Sequence, residues 1–250
     1  MRGLPTFGLP NIISYNDVRG DLQMHTKWSD GNSTILEMAQ GAKALGHEYI
    51  AITDHVGKAG MGNAIPPEKL REQKKEIDEA VKKTGIKILQ GAEINIQLDG
   101  SVDVEDRYLK ELDVVLGSVH FGFKRKKEQQ TERLLKAMEN EHIDIIAHPT
   151  GRLLNERPGY ELDFDNLLEK ARTTKTILEI NALQKRLDLN DVCVKAAVKS
   201  GVKLSIGTDS HDVSGLKNFI LGIAVARRGW AEKKDIINSY SVKEMLSFLK

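Results

Sequence analysis

The chain has a single cysteine, Cys193, which excludes an intramolecular disulfide and any cysteine-rich zinc site. Cys193 lies in an apolar helical pattern, where a small core residue is expected. Net charge is nearly absent as well. Lys and Arg total 37 against 36 for Asp and Glu, leaving +1, so no global field draws the protein to nucleic acid or a membrane. Any nucleic-acid contact has to be local. No stretch reaches the apolar length of a membrane span, and MRGLPTFGLPNIISYNDV lacks the charged head and long apolar run of a signal peptide. These absences predict a soluble protein of a reducing, cytoplasmic compartment with no membrane partner. The glycines of GKAGMGNAIPP are followed by no GK[ST], so they form no phosphate-binding motif and read as a flexible loop over the site.

What the chain does have is an alternation of short apolar runs with helical patterns. Hydrophobic residues make up 40% and charged residues 29%, ordinary for a globular protein long enough to bury a substantial core. The runs GDLQMH, YIAITDH, IKILQGAEINI, LDVVLGSVH, IDIIAHP, TILEIN and VKLSIGTDSH give seven strand candidates. Helical patterns lie between them at about 68–83, 128–139, 163–173 and 190–200. Thr34 and Glu37 have the capping-box spacing ahead of ILEMAQGAKA, and Gly46 marks its end. No composition break divides the chain. The expected organisation is one domain over 1–250, with an N-terminal arm (1–18), a barrel core (19–211) and C-terminal helices (212–250).

Parallel β/α construction allows an open sheet or a closed barrel. An open sheet gathers polar strand ends at one switch point, whereas here nearly every strand ends in His, Asp or Glu. A barrel brings all those ends around one mouth, so a seven-stranded, TIM-like α/β barrel is expected. In GDLQMHTKWSDG, period-two alternation places Asp21, Gln23 and His25 on one face and Leu22 and Met24 on the other. By itself that stretch fits an amphipathic edge strand with an incidental histidine as well as it fits a metal or phosphate site.

Five of the seven histidines, His25, His55, His120, His148 and His211, fall at strand ends. His47 and His142 precede strands and are expected on the surface at the opposite end. A lone strand-end histidine is commonly hydrogen-bonded structure; five converging with Asp30, Glu93 and Asp209 reverse those odds. Imidazole and carboxylate together suit Zn or Mn, with Fe possible, and eight donors exceed what one tetrahedral ion needs. Two or three divalent ions bridged by Glu93 are therefore expected, serving hydrolysis of a phosphate ester. Metal-dependent amide hydrolysis is chemically open too, although no strand offers a lysine at its C-terminal end to carry a bridging carbamate. Of these donors, His25, Asp30, His120 and Asp209 are expected to take part in catalysis. Arg152 and Arg186, on mouth-side loops, are candidate phosphate ligands, with surface ion pairs as the alternative. The run Lys124, Arg125, Lys126 and Lys127 after His120 fits a substrate contact weakly and a solvated face better.

The motifs QMHTKWSDG, AITDH, GAEIN, GSVH, AHPTGR, LEINA and GTDSH, in this order, resemble the PHP family, named for polymerase and histidinol phosphatase. GDLQMHT, HPTGRLL, NALQKRLDL and VARRGW are most similar to the C-terminal PHP domain of family X DNA polymerases. The resemblance implies a distorted seven-stranded barrel with up to three Zn or Mn ions. It implies phosphoesterase activity on DNA as 3′-5′ exonuclease, 3′-phosphatase or abasic-site endonuclease. It also implies that His25, Asp30, His55, Glu93, His120, His148, Asp209 and His211 are metal ligands. One departure stands out: the family's first motif is usually His-x-His, and Gln23 holds its first position. The polymerase and helix-hairpin-helix modules that precede the domain in those polymerases are missing from this chain, and a separate polymerase chain is a candidate partner. Two other functions fit the same residues, a small-molecule phosphatase of the histidinol-phosphate type and a degenerate barrel kept as a structural module.

Overall fold

The structure is a computed structural model that describes residues 10–57 and 63–250. Seven strands form one sheet in sequence order, every neighbouring pair parallel: β1 (Gly20–Asp21), β2 (Tyr49–Ile52), β3 (Lys87–Asn95), β4 (Val114–Ser118), β5 (Ile145–Ile146), β6 (Ile177–Asn181) and β7 (Leu204–Gly207). The helices are α1 (Ile35–Ala44), α2 (Leu70–Thr84), α3 (Asp106–Leu109), α4 (Lys127–Ala137), α5 (Phe164–Thr174), α6 (Asp191–Lys199), α7 (Phe219–Arg228) and α8 (Val242–Leu246). The sheet closes on itself at the mouth. There Met24 bridges Ser210, His25 N donates to Ser210 O at 2.8 Å and Asp209 N donates to Gln23 O at 3.0 Å. A parallel β/α barrel is what the alternating pattern called for.

Inside the barrel, position along a strand decides chemistry. Strand residues two apart face the same way, and the interior positions pass from apolar to polar toward the mouth. In β3 the series is Leu89, Gly91, Glu93, Asn95; from β4 onward it is Val114, Leu116, Ser118, His120; in β6 it is Ile177, Glu179, Asn181. The apolar ends join Leu22, Tyr49, Ala51 and Ile145 in one buried cluster, and Ile237 and Met245 from the C-terminal segment plug it from below. Burial of side chains of this size stabilises the fold by about 1.5–3 kcal/mol each. The mouth is therefore the polar end of a packed interior.

The first strand differs from its expected alternation. Leu22 packs into the interior cluster, whereas Met24 packs outside with Ile35, Met38, Ile50, Ile52 and Ile77 beneath α1 and α2. They do not share a face. The cause is Asp21, whose Oδ1 accepts from Gln23 N at 3.2 Å and from Thr208 N at 3.1 Å, so the chain leaves the regular ladder after residue 21. Nor is this an edge strand: residues 20–26 are all buried.

Asn238, from a 3-10 turn (Ile237–Ser239), clips the seam between β7 and β1 below the mouth. Its Nδ2 donates to Gly20 O at 2.8 Å and Ile206 O at 2.9 Å, and its Oδ1 accepts from Ile206 N at 2.7 Å. Gly20 is held to glycine by packing, because a Cβ there would lie 2.3 Å from the Tyr49 ring. Two surface expectations fail. His47 and His142 are half-buried. Cys193 also departs from expectation, half-buried rather than in the core. Burial pushes its thiol up to about 11. Residues 58–62 of the glycine loop expected over the site lie outside the described residues.

Candidate metal centre

The loops that leave the strands carry the donors, and polar contacts to backbone fix those loops. Asp54, just past β2, accepts from Thr26 N at 2.6 Å, Thr26 Oγ1 at 2.7 Å, Ser29 Oγ at 2.6 Å and Gln73 Nε2 at 2.8 Å. With its acceptor capacity taken, Asp54 stays out of the donor ring and ties the turn bearing Asp30 to α2. His148 (φ 31°) and Asp209 (φ 52°) adopt backbone conformations uncommon for non-glycine residues. Such conformations persist where surrounding contacts fix them, as at binding sites.

Glu93 is the hub. Its Oε2 lies 3.2 Å from His25 Nε2 and 3.6 Å from His55 Nδ1; its Oε1 lies 3.1 Å from His120 Nε2 and 2.9 Å from His148 Nε2. Asp209 Oδ1 is 3.1 Å from His25 Nε2, and Asp30 Oδ2 is 3.5 Å from His55 Nε2 and 3.3 Å from His211 Nε2. All eight expected donors thus converge. Three sets have donor atoms within 4.8 Å of one another: His25, Asp30, His55 and His211; His55, Glu93 and His120; and His25, Glu93 and Asp209. His148 joins through Glu93.

Tautomers follow from the hydrogen bonds. His120 Nδ1 faces Asn95 Oδ1 at 2.7 Å and His211 Nδ1 faces Asp209 O at 2.8 Å, so in both rings Nδ1 carries the proton and Nε2 presents its lone pair to the pocket. His25 is fully buried, yet neither ring nitrogen makes a well-directed hydrogen bond, and His148 Nδ1 is likewise unpartnered. Orphaned imidazoles around three carboxylates are the donor set that a divalent ion satisfies. The residues present fit such ions.

Charge is arranged to match. Burial opposes ionisation of Glu93, but His55, His120 and His148 hold it well below the usual carboxylate range; Asp30, next to His211 and His55, is lowered likewise. Burial, then Arg186, pushes His148 down to about 4, keeping a neutral ring. Glu179 goes the other way, raised well above its usual value by burial and by Asp209.

The two arginines separate. Arg186 Nε lies 3.2 Å from Asp209 Oδ2, at the rim of the ring. Arg152 is used differently from expectation: its Nε donates to Arg186 O at 2.8 Å and an Nη donates to Leu187 O. It braces the loop that carries Arg186. In the basic run, Lys124, Lys126 and Lys127 are exposed, while Arg125 donates to Leu98 O at 2.8 Å. The sequence reading missed the roles of Asn95, Asp54 and Asn181. Asn95 and Asn181 sat on the right strand faces, but a carboxamide carries no ligand signal of its own.

Fold and site together define the class, a β/α barrel whose mouth gathers imidazoles and carboxylates that fit divalent ions. The profile of the PHP domain matches residues 21–183. The chain is 42% identical over 240 residues to the DNA polymerase/3′-5′ exonuclease PolX of Bacillus subtilis, an alignment covering 96% of this chain and 42% of that protein. It is 33% identical to a probable phosphatase of Caldanaerobacter subterraneus, covering 72% of this chain and 70% of that one. Among solved structures it is similar to the putative histidinol phosphatase of Listeria monocytogenes (TM-score 0.64, 16% identity, 79% of this chain and 97% of that one). The histidinol phosphate phosphatase of Lactococcus lactis, solved with zinc, L-histidinol and phosphate, gives 0.58 at 20% identity over 83% and 93%. The chain belongs to the PHP domain family and is a metal-dependent phosphoesterase. It spans less than half the length of the Bacillus relative.

Proposed function

We propose that this phosphoesterase acts on DNA 3′ ends, removing nucleotides or terminal phosphate. The observation that carries the reading is the 42% identity, nearly end to end in this chain, to a polymerase with 3′-5′ exonuclease activity. The proposed ligands are the eight converging donors. A neutral imidazole has one lone pair and serves one ion; we assign Asp30, His55 and His211 to one ion, His25, Glu93 and Asp209 to a second, and Glu93, His120 and His148 to a third. Zn, Mn or Fe ions held there would activate water and neutralise charge on the phosphate. Of the protein's own groups, Arg186 offers a guanidinium at the rim for phosphate oxygens, and Arg152 holds the loop in place for it. Lys124, Lys126 and Lys127 give a local basic surface for a DNA backbone on a chain with no net field.

A second reading, a phosphatase of small phosphomonoesters, is favoured by the probable phosphatases whose length this chain largely spans. The eight donors weigh against a degenerate structural barrel. Purified protein with Mn, assayed on a 3′-recessed duplex and on a phosphomonoester panel including histidinol phosphate, separates the readings. Activity on the duplex supports the first; activity confined to histidinol phosphate contradicts it. Co-purification with a polymerase chain would test the proposed partner.

A further inference from the structure

We propose that Gln23 is no ligand of the His25, Glu93 and Asp209 ion but the hydrogen-bonding wall of its site, its carbonyl oxygen held by Asn181 and its amide N–H left for the pocket. The proposal rests on the metal-centre reading above. Its starting point is a carboxamide with one end fixed and the other free. Gln23 is fully buried; its Oε1 accepts from Asn181 Nδ2 at 3.1 Å, and its Nε2 has no partner among the described residues.

The orientation is set by the neighbour. Asn181 Oδ1 accepts from Leu183 N at 3.0 Å, so the Asn181 amide nitrogen must face the pocket. That nitrogen lies 3.1 Å from Asp209 Oδ2 and 3.2 Å from Glu179 Oε2, both acceptors, as well as from Gln23 Oε1. Flipping the Gln23 amide would set NH₂ against NH₂. An amide nitrogen has no lone pair to give a metal, so the atom left for the pocket is a donor of hydrogens. Sideways escape is closed at Gly207. A Cβ there would stand 2.6 Å from Gln23 Cβ and 2.2 Å from Glu179 Oε1, so these side chains already fill the space against the strand.

Two consequences follow. With Gln23 out of the ligand set, this ion keeps three protein donors where a closed tetrahedral site has four, so one coordination position stays open beside Gln23. The Nε2 hydrogens are left for an oxygen of water or phosphate in the pocket, which makes Gln23 a positioning residue for substrate.

A competition titration of Zn and of Mn against a chromophoric chelator, with ion counts by mass spectrometry, tests this on metal-stripped wild type, Gln23→Leu, Gln23→His and Glu93→Gln. Gln23→Leu is expected to keep every ion within about threefold of wild-type affinity, because no ligand is lost. Gln23→His is expected to tighten one ion at least tenfold and leave the others unchanged. An ion lost or weakened tenfold in Gln23→Leu would overturn the proposal, since Gln23 would then be a ligand. If Gln23→Leu does not fold, Gln23→His decides alone, and no tightened ion contradicts the proposal. Wild-type binding by Glu93→Gln would instead overturn the metal-centre reading itself.

Discussion

Asn95 shows at the residue scale how a group behind a ring sets what that ring presents to the pocket. By accepting from His120 Nδ1 it fixes which nitrogen faces Glu93. Asn95→Leu frees that proton and is expected to weaken ion binding 10–100-fold in the same chelator titration, with the fold intact by circular dichroism. Unchanged affinity would remove Asn95 from the account. The arginines should part company under substitution. Arg186→Met is expected to lower kcat/KM for a phosphoester about 10–100-fold with little change in stability, as loss of a charged hydrogen-bond donor does. Arg152→Met should cost about 2 kcal/mol in denaturant unfolding, by unpairing the carbonyls of Arg186 and Leu187. Equal effects from both on both measurements would refute this division. The convergence of His25, His120 and Glu93 was legible in the sequence because strand ends of a barrel meet and histidine announces itself. Arg152 was misread because an arginine near the mouth looks the same whether it faces phosphate or two carbonyls.

Among the elements, the helices were legible from local chemistry. The Thr34–Glu37 box forms as written at the start of α1, and α4, α5 and α6 lie within two residues of their expected spans. The first strand was not, since Asp21 takes two backbone N–H groups and breaks the alternation that pattern reading assumes. Asn238 was invisible for a related reason: its partners are more than 30 residues away, and no periodicity encodes them. It reinforces a seam whose direct pairing at this depth is long, Leu22 N donating to Ile206 O at 3.5 Å. Asn238→Leu would leave Gly20 O and Ile206 N without their Asn238 partner in the interior and Ile206 O with only the long bond from Leu22 N at 3.5 Å, an expected loss of about 3 kcal/mol. Chemical denaturation of metal-stripped protein measures it, and a change under 1 kcal/mol would show that the seam is held by other contacts.

Across the whole molecule, stability should carry the signature of a histidine far from the metal donors. Burial pushes His47, edge-on to Phe219 at 5.0 Å, down to about 4. Its folded value lies below the unfolded value of about 6.5. The contribution is therefore full above pH 6.5 and is lost as pH falls toward 4. Asp144 works oppositely, since burial raises its carboxyl to about 6 and the folded chain takes that proton first. Comparing His47→Phe with wild type isolates the histidine. The variant's acid-side loss between pH 6.5 and 4 should be smaller by about 2 kcal/mol, and parallel curves would contradict it. Activity offers the more direct test of the whole, because on a barrel with no net field the proposed ions at the mouth would supply the charge for phosphate chemistry. The decisive measurement is phosphoester hydrolysis by metal-stripped protein as Mn is added back, with Glu93→Gln alongside. The account predicts no turnover without metal, recovery on titration, and at least a hundredfold loss in Glu93→Gln, whose side chain reaches four of the five imidazoles. Undiminished hydrolysis in stripped wild type or in Glu93→Gln would contradict it.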